Sequence, residues 1–134
     1  MGNISSQINE AINTGNELKL IDLLNSKVDK EEDLNEYIFF AFDKGKRKEM
    51  EILINLQKKR GKKITHKTII EASKKGRNEM IKYLLEEGVD VNGVDDEGFD
   101  SIFYSVAHKN WNTGIELICA GCILDRIYPG GGFF

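Results

Sequence analysis

Proline is nearly missing from this sequence: the 134 residues contain one, Pro129, and with the three glycines after it, it prevents further helix. Cysteine is scarce too. Two residues are too few for a disulfide framework, which fits a reducing compartment. No apolar run approaches the ~20 residues needed to span a bilayer. The opening Met1-Gly2-Asn3-Ile4-Ser5-Ser6 lacks a basic stretch leading into an apolar core, so no secretory leader is expected. Nor does one sign of charge dominate: the net charge of −3 gives no overall attraction to nucleic acid. These shortages exclude a collagen, a disulfide knot, an integral membrane protein and a histone-like protein. What is present, 40% hydrophobic and 31% charged residues, suits a single folded domain.

One frame recurs along the chain: Ala-x-x-x-Gly, then apolar residues five, eight and nine positions past the glycine. Its copies begin at Ala11 with Gly15, Ala41 with Gly45, and Ala72 with Gly76. A fourth, weaker copy has Ser105 and Lys109 in their place. The starts lie 30, 31 and 33 residues apart. The apolar triads are Leu20, Leu23 and Leu24; Met50, Leu53 and Ile54; Ile81, Leu84 and Leu85; and Gly114, Leu117 and Ile118. Each unit reads as a short helix, a tight turn at a positive-φ glycine, and a second helix with one apolar stripe. A small residue at the frame start lets neighbouring helices approach. Because one pair cannot bury its own stripe, the pairs must stack, and eight short helices are expected.

The third unit, Glu71-Ala72-Ser73-Lys74-Lys75-Gly76 through Leu84-Leu85-Glu86-Glu87-Gly88-Val89-Asp90-Val91-Asn92, closely resembles an ankyrin repeat. Asp95-Asp96-Glu97-Gly98-Phe99 resembles the hairpin tip that opens the next one. The usual Thr-Pro-Leu-His is degraded there to Asp100-Ser101-Ile102-Phe103, and the first two units are short. The resemblance implies an all-α ankyrin-repeat solenoid of stacked helix-turn-helix units with short hairpin loops. Its repeats would cover about 5–30, 31–61, 62–94 and 95–127, within a domain 1–128 followed by a Gly-rich tail 129–134. It also implies a non-enzymatic protein-binding module with no cofactor or metal, because the fold is a scaffold for unrelated partners.

A concave face made of the hairpin tips and the first helices is implied as the place where a protein partner sits. The two residues before each turn glycine would point into it: Asn13 and Thr14, Asp43 and Lys44, Lys74 and Lys75, Ala107 and His108. Tip positions would add Glu32, Asp33, Lys63, His66, Asp96, Glu97 and Phe99. Phe99 reads in two ways, as an exposed partner anchor or as an aromatic packed on the adjacent tip.

Charge alternates along the chain, with balances of −4, +5, −3 and −1 over residues 1–34, 35–64, 65–97 and 98–134. The basic stretch divides into Lys44, Lys46, Arg47 and Lys48, then Lys58, Lys59, Arg60, Lys62 and Lys63. An intervening helix holds the two clusters roughly 15 Å apart. Interleaved acids and the lack of an aromatic platform argue against nucleic acid and for protein-partner electrostatics.

Other chemistry is sparse. Met1-Gly2-x-x-x-Ser6 meets the minimal N-myristoylation pattern, which makes Gly2 a lipidation candidate and a peripheral membrane adaptor one alternative function. Cys119-Ala120-Gly121-Cys122 falls at the end of an expected helix, where the dipole disfavours a reactive thiolate, and only His66 and His108 could complete a zinc site. Reduced structural cysteines are the reading there. The tail's Phe133 and Phe134 are expected to fold back as a cap on the last repeat, with a docking motif as the alternative. The expectation is therefore a monomeric, cytoplasmic protein that binds, sequesters or inhibits a protein partner, with membrane contact only if Gly2 is acylated. A microbial immunity-type inhibitor of a toxin is the other alternative.

Overall fold

The fold was analysed in a computed structural model that describes residues 3–130. Among these residues there are eight helices and no strand: α1 (Ile4–Thr14), α2 (Glu17–Ser26), α3 (Asn35–Asp43), α4 (Arg47–Lys59), α5 (His66–Lys75), α6 (Asn78–Glu86), α7 (Ser101–Ala107) and α8 (Trp111–Cys119). They fall into two compact units, residues 1–64 and 65–134. Within the first, α1 packs on α2 and α3, and α4 packs on α3 and α2. The second repeats the plan, with α5 on α6 and α7, and α8 on α7 and α6. Each unit is thus two helix pairs stacked first helix on first helix and second on second.

The turn inside every pair has the same construction. Gly15, Gly45 and Gly76 adopt φ of 68°, 70° and 65°, the left-handed region in which a side chain is costly. The residue after each turn returns its amide to the frame-start carbonyl. Asn16 donates to Ala11, Lys46 to Ala41, Arg77 to Ala72 and Asn110 to Ser105, at 2.7–3.0 Å. The fourth turn keeps this bond although its left-handed residue is Lys109, at φ 59°, the one non-glycine with positive φ among the described residues. Starts are secured locally as well. Asn3 accepts from Ser6 N, Asn16 from Lys19 N and Asp100 from Phe103 N.

The frame-start residues Ala11, Ala41, Ala72 and Ser105 are all buried, as close approach of the first helices requires. The apolar triads of the first two pairs are buried in full. In the third, Leu85 is half-buried where α8 packs on α6. The fourth triad departs from the expectation. Gly114 and Leu117 are buried, but Ile118 is 49% exposed, because no further pair lies against it among the described residues. Trp111 and Ile115 continue that open stripe at helical spacing.

Connections between pairs are unequal. Residues 95–99 form a true tip, in which Asp95 N donates to Phe99 O and Gly98 N to Asp95 O. Asp33 works locally instead, accepting from Asn35 N at 2.9 Å. His66, expected at a tip, is instead the first residue of α5. Its half-buried ring lies where a Cβ on Gly93 would stand, so that contact requires glycine. Six residues, 60–65, separate α4 from α5, and the helix begins immediately after Thr65.

Beyond α8 the chain folds back on its own unit. Asp100, buried at the start of α7, receives the Tyr128 hydroxyl at 2.7 Å and pairs with Arg126 Nε at 2.8 Å. Arg126 also donates to Asn92 O, and Asn92 Oδ1 accepts from Ile123 N. The Tyr128 ring lies 5.0 Å from Phe103, and a Cβ on Gly98 would lie 2.8 Å from Pro129 Cγ. This segment lies against the start of α7, at Asp100 and Phe103. Burial, followed by the Asp100 hydrogen bond, pushes the Tyr128 phenol well above the ordinary tyrosine range. The Phe133 and Phe134 cap and the Gly2 lipidation candidate lie outside the described residues.

Two stability changes follow. Lys109→Gly relieves the left-handed strain and is expected to stabilise the protein by about 0.5–1 kcal/mol in urea unfolding. Tyr128→Phe removes a buried hydrogen bond to a carboxylate and is expected to cost about 1.5–2 kcal/mol in the same measurement, unless the segment is not fastened through Asp100.

Candidate functional site

In the second unit, α5, α7 and the 95–99 tip bring a set of side chains together on one face. Tyr104 lies at its centre. Its hydroxyl donates to Asp95 Oδ2, and the Lys74 ammonium sits 4.6 Å above its ring. The His108 ring stacks beside it at 6.4 Å, one turn further along α7. Lys74 in turn pairs with Glu71 at 3.2 Å. Lys75, Asp96, Glu97 and His108 are exposed around this centre.

Asp95 organises the tip. Its Oδ1 accepts from Glu97 N and Phe99 N, both at 3.0 Å, while Oδ2 accepts the hydrogen bond of the Tyr104 hydroxyl. Burial alone would push its carboxyl up. The hydrogen bonds from Tyr104, Phe99 and Glu97, helped by the Lys74 charge, outweigh that and hold it below the ordinary carboxylate range. Tyr104 moves the other way. Burial first, then the bond and charge of Asp95 and the charges of Glu97 and Glu71, push its phenol well above the ordinary range. The tyrosine is therefore a neutral, fixed platform among charges.

Phe99 is half-buried rather than projecting. It stacks on Phe103 at 4.1 Å and reaches Tyr104 and Tyr128 at 6.1 and 5.9 Å. The ring thus packs on α7 and on Tyr128 of the closing segment, rather than on the adjacent tip. In the first unit, Asp43 is half-buried and Lys44 exposed at the end of α3, with the Lys44 ammonium 5.6 Å from the Phe40 ring.

Tyr104 and Phe40 were missed by reasoning that took only the two residues before each turn. Both precede the frame-start residue, and each sits one helical turn before a residue that was read as facing a partner, His108 or Lys44. That i, i+4 relation was the available signal.

The arrangement offers a rigid aromatic surface flanked by both signs of charge, which is a recognition chemistry. Among the described residues no group of three or more His, Cys, Asp and Glu side chains could hold a metal ion. Cys119 ends α8 and Cys122 lies in the loop beyond, where burial pushes its thiol pKa up.

Residues 69–119, which span most of α5 and all of α6, α7 and α8, match the family model described as ankyrin repeats (many copies). Comparison with curated proteins gave no match.

Because the folded-state carboxyl of Asp95 is held below its unfolded value of about 3.9, the stability it contributes is present above that value and is lost as pH falls through the lower folded-state value. Thermal melts of the protein and Asp95→Asn are expected to differ most near neutral pH and to converge only as the pH falls through the carboxyl's lowered folded-state value. A gap that does not depend on pH would mean that the charge of Asp95 is not what holds the tip.

Proposed function

Ankyrin repeats are generally protein–protein interaction modules and are typically not catalysts, and on that basis we propose that this chain acts by stoichiometric binding of a protein partner through the face centred on Tyr104. The observation that carries this reading is the Tyr104 platform itself, fixed by Asp95 beneath its hydroxyl and Lys74 over its ring. A side chain already held in place loses little freedom on binding, and aromatic residues so held supply much of the energy of protein interfaces. Lys74, Lys75, Asp96 and Glu97, with the His108 ring beside them, form the polar rim that selects the partner. Phe99 serves from below as support. Asp43 and Lys44, beside Phe40, form the corresponding contact surface of the first unit.

Such a preformed face sequesters or inhibits its partner with little rearrangement of its own. It needs no cofactor, and the partner carries charges of both signs to match the rim. The protein works in the cytoplasm, where its cysteines stay reduced.

Site-specific photo-crosslinking in the native source tests the reading. A crosslinker at position 75 or 97 is expected to give one discrete protein adduct, and one at exposed position 79 of α6 none. With the captured partner in hand, Lys74→Ala and His108→Ala should each weaken binding about tenfold, or ~1.4 kcal/mol, with melting temperatures nearly unchanged. Equal adducts from position 79 would remove the Tyr104 face as the binding surface.

A further inference from the structure

The first unit carries a second feature that the Tyr104 face does not use. Between α2 and α4, the second helices of its two pairs, runs a groove of about 190 Å³ with Ile21, Leu24, Ile52 and Leu56 as its floor. Asn25 and Asn55 stand at its edges. It is not sealed by packing: Ile21 is exposed, and Leu18, one turn earlier on α2, is 82% exposed. Asn25, Leu56 and Lys59 also belong to a wider recess of about 430 Å³, so groove and recess are continuous.

The recess has the opposite character. Lys30, Lys59 and Arg60 line it against one carboxylate, Glu31, and that carboxylate is engaged by Lys62 at 3.4 Å. Arg60 is fixed in place, donating from Nη2 to Leu24 O at 2.8 Å and from Nη1 to Asp29 O at 3.3 Å. The result is an apolar slot that opens onto a cationic end whose one guanidinium is already ordered. Lys59 and Arg60, from the second half of the basic stretch, thus stand at one end of the apolar groove.

We propose that this groove is a docking site for an acidic–apolar peptide segment of a partner protein, separate from the Tyr104 face. One large aliphatic or aromatic side chain of the segment seats between Ile21 and Ile52. Its carboxylates meet Lys30 and Lys59. The edge amides of Asn25 and Asn55 can each donate to and accept from the segment's backbone. Spacing fixes the register. Ile52 and Lys59 are seven residues apart on α4, about 10 Å along the helix axis. An extended segment rises about 3.3 Å per residue, so the anchor and the first carboxylate are three residues apart. The aliphatic floor has no ring on which a nucleic-acid base could stack, and the charge complementarity selects acids.

The probe is a fluorescein-labelled nine-residue peptide with one leucine followed three residues later by two glutamates. Its control has lysines in place of the glutamates. Titrated with the full chain and read by anisotropy, the acidic probe should saturate and the lysine control should bind at least tenfold more weakly. Lys59→Glu, at an exposed site, should lower the acidic probe's affinity at least tenfold while lowering the melting temperature only slightly, as expected for an anion at the C-terminal end of α4. Ile21→Ser should lower it severalfold. Equal binding of the two peptides, no saturation by 1 mM protein, or indifference to Lys59→Glu overturns the proposal. So does preferential, Lys59-dependent binding to phosphatidylserine vesicles without peptide binding, which would assign the cationic end to a membrane. None of these outcomes depends on the Tyr104 face.

Discussion

A pair of helices of seven to thirteen residues has nowhere to hide its own apolar stripe, and the rest of this structure follows from that shortage. Stacking is the remedy, and stacking demands that successive pairs present the same shape. The return hydrogen bond from the residue after each turn to the frame-start carbonyl supplies that sameness. It sets the angle between the two helices of a pair. The small frame-start residue sets how closely the next pair approaches.

Two aspartates then organise the second unit. Asp100 gathers an amide, a guanidinium and a phenol around one buried carboxylate, and so brings the chain after α8 back across α7. Asp95 does the same for the hairpin tip and fixes Tyr104 from below. The two centres meet through the rings of Phe99, Phe103 and Tyr128. The Tyr104 face and the closing segment therefore share one aromatic layer.

How much of this could be read from the sequence depends on the range of the interaction. The turns were legible because a left-handed backbone leaves glycine as a visible trace, at Gly15, Gly45 and Gly76. The triads were legible because helical periodicity marks a stripe. Periodicity does not say what covers a stripe, which is why Ile118 was misread. His66 begins α5 instead of standing in the connection before it, a shift that follows from connections of unequal length. Tyr104 escaped attention although its signal, one turn before His108, was local. The role of Asp100 had no local signal: its partners Arg126 and Tyr128 lie 26 and 28 residues away. The apolar–cationic groove of the first unit likewise joins residues of two helices that no motif connects.

The Lys109 turn has a wider meaning. It shows that the left-handed residue can drift from glycine while the hydrogen bond it serves stays intact. The penalty is small beside what a stacked pair gains by burial, so a lineage can shed these glycines one at a time without losing the architecture. Recognisability and foldability then decay at different rates. In chains of this kind, the repeats that can be counted from their letters are a lower bound on those that the backbone still builds.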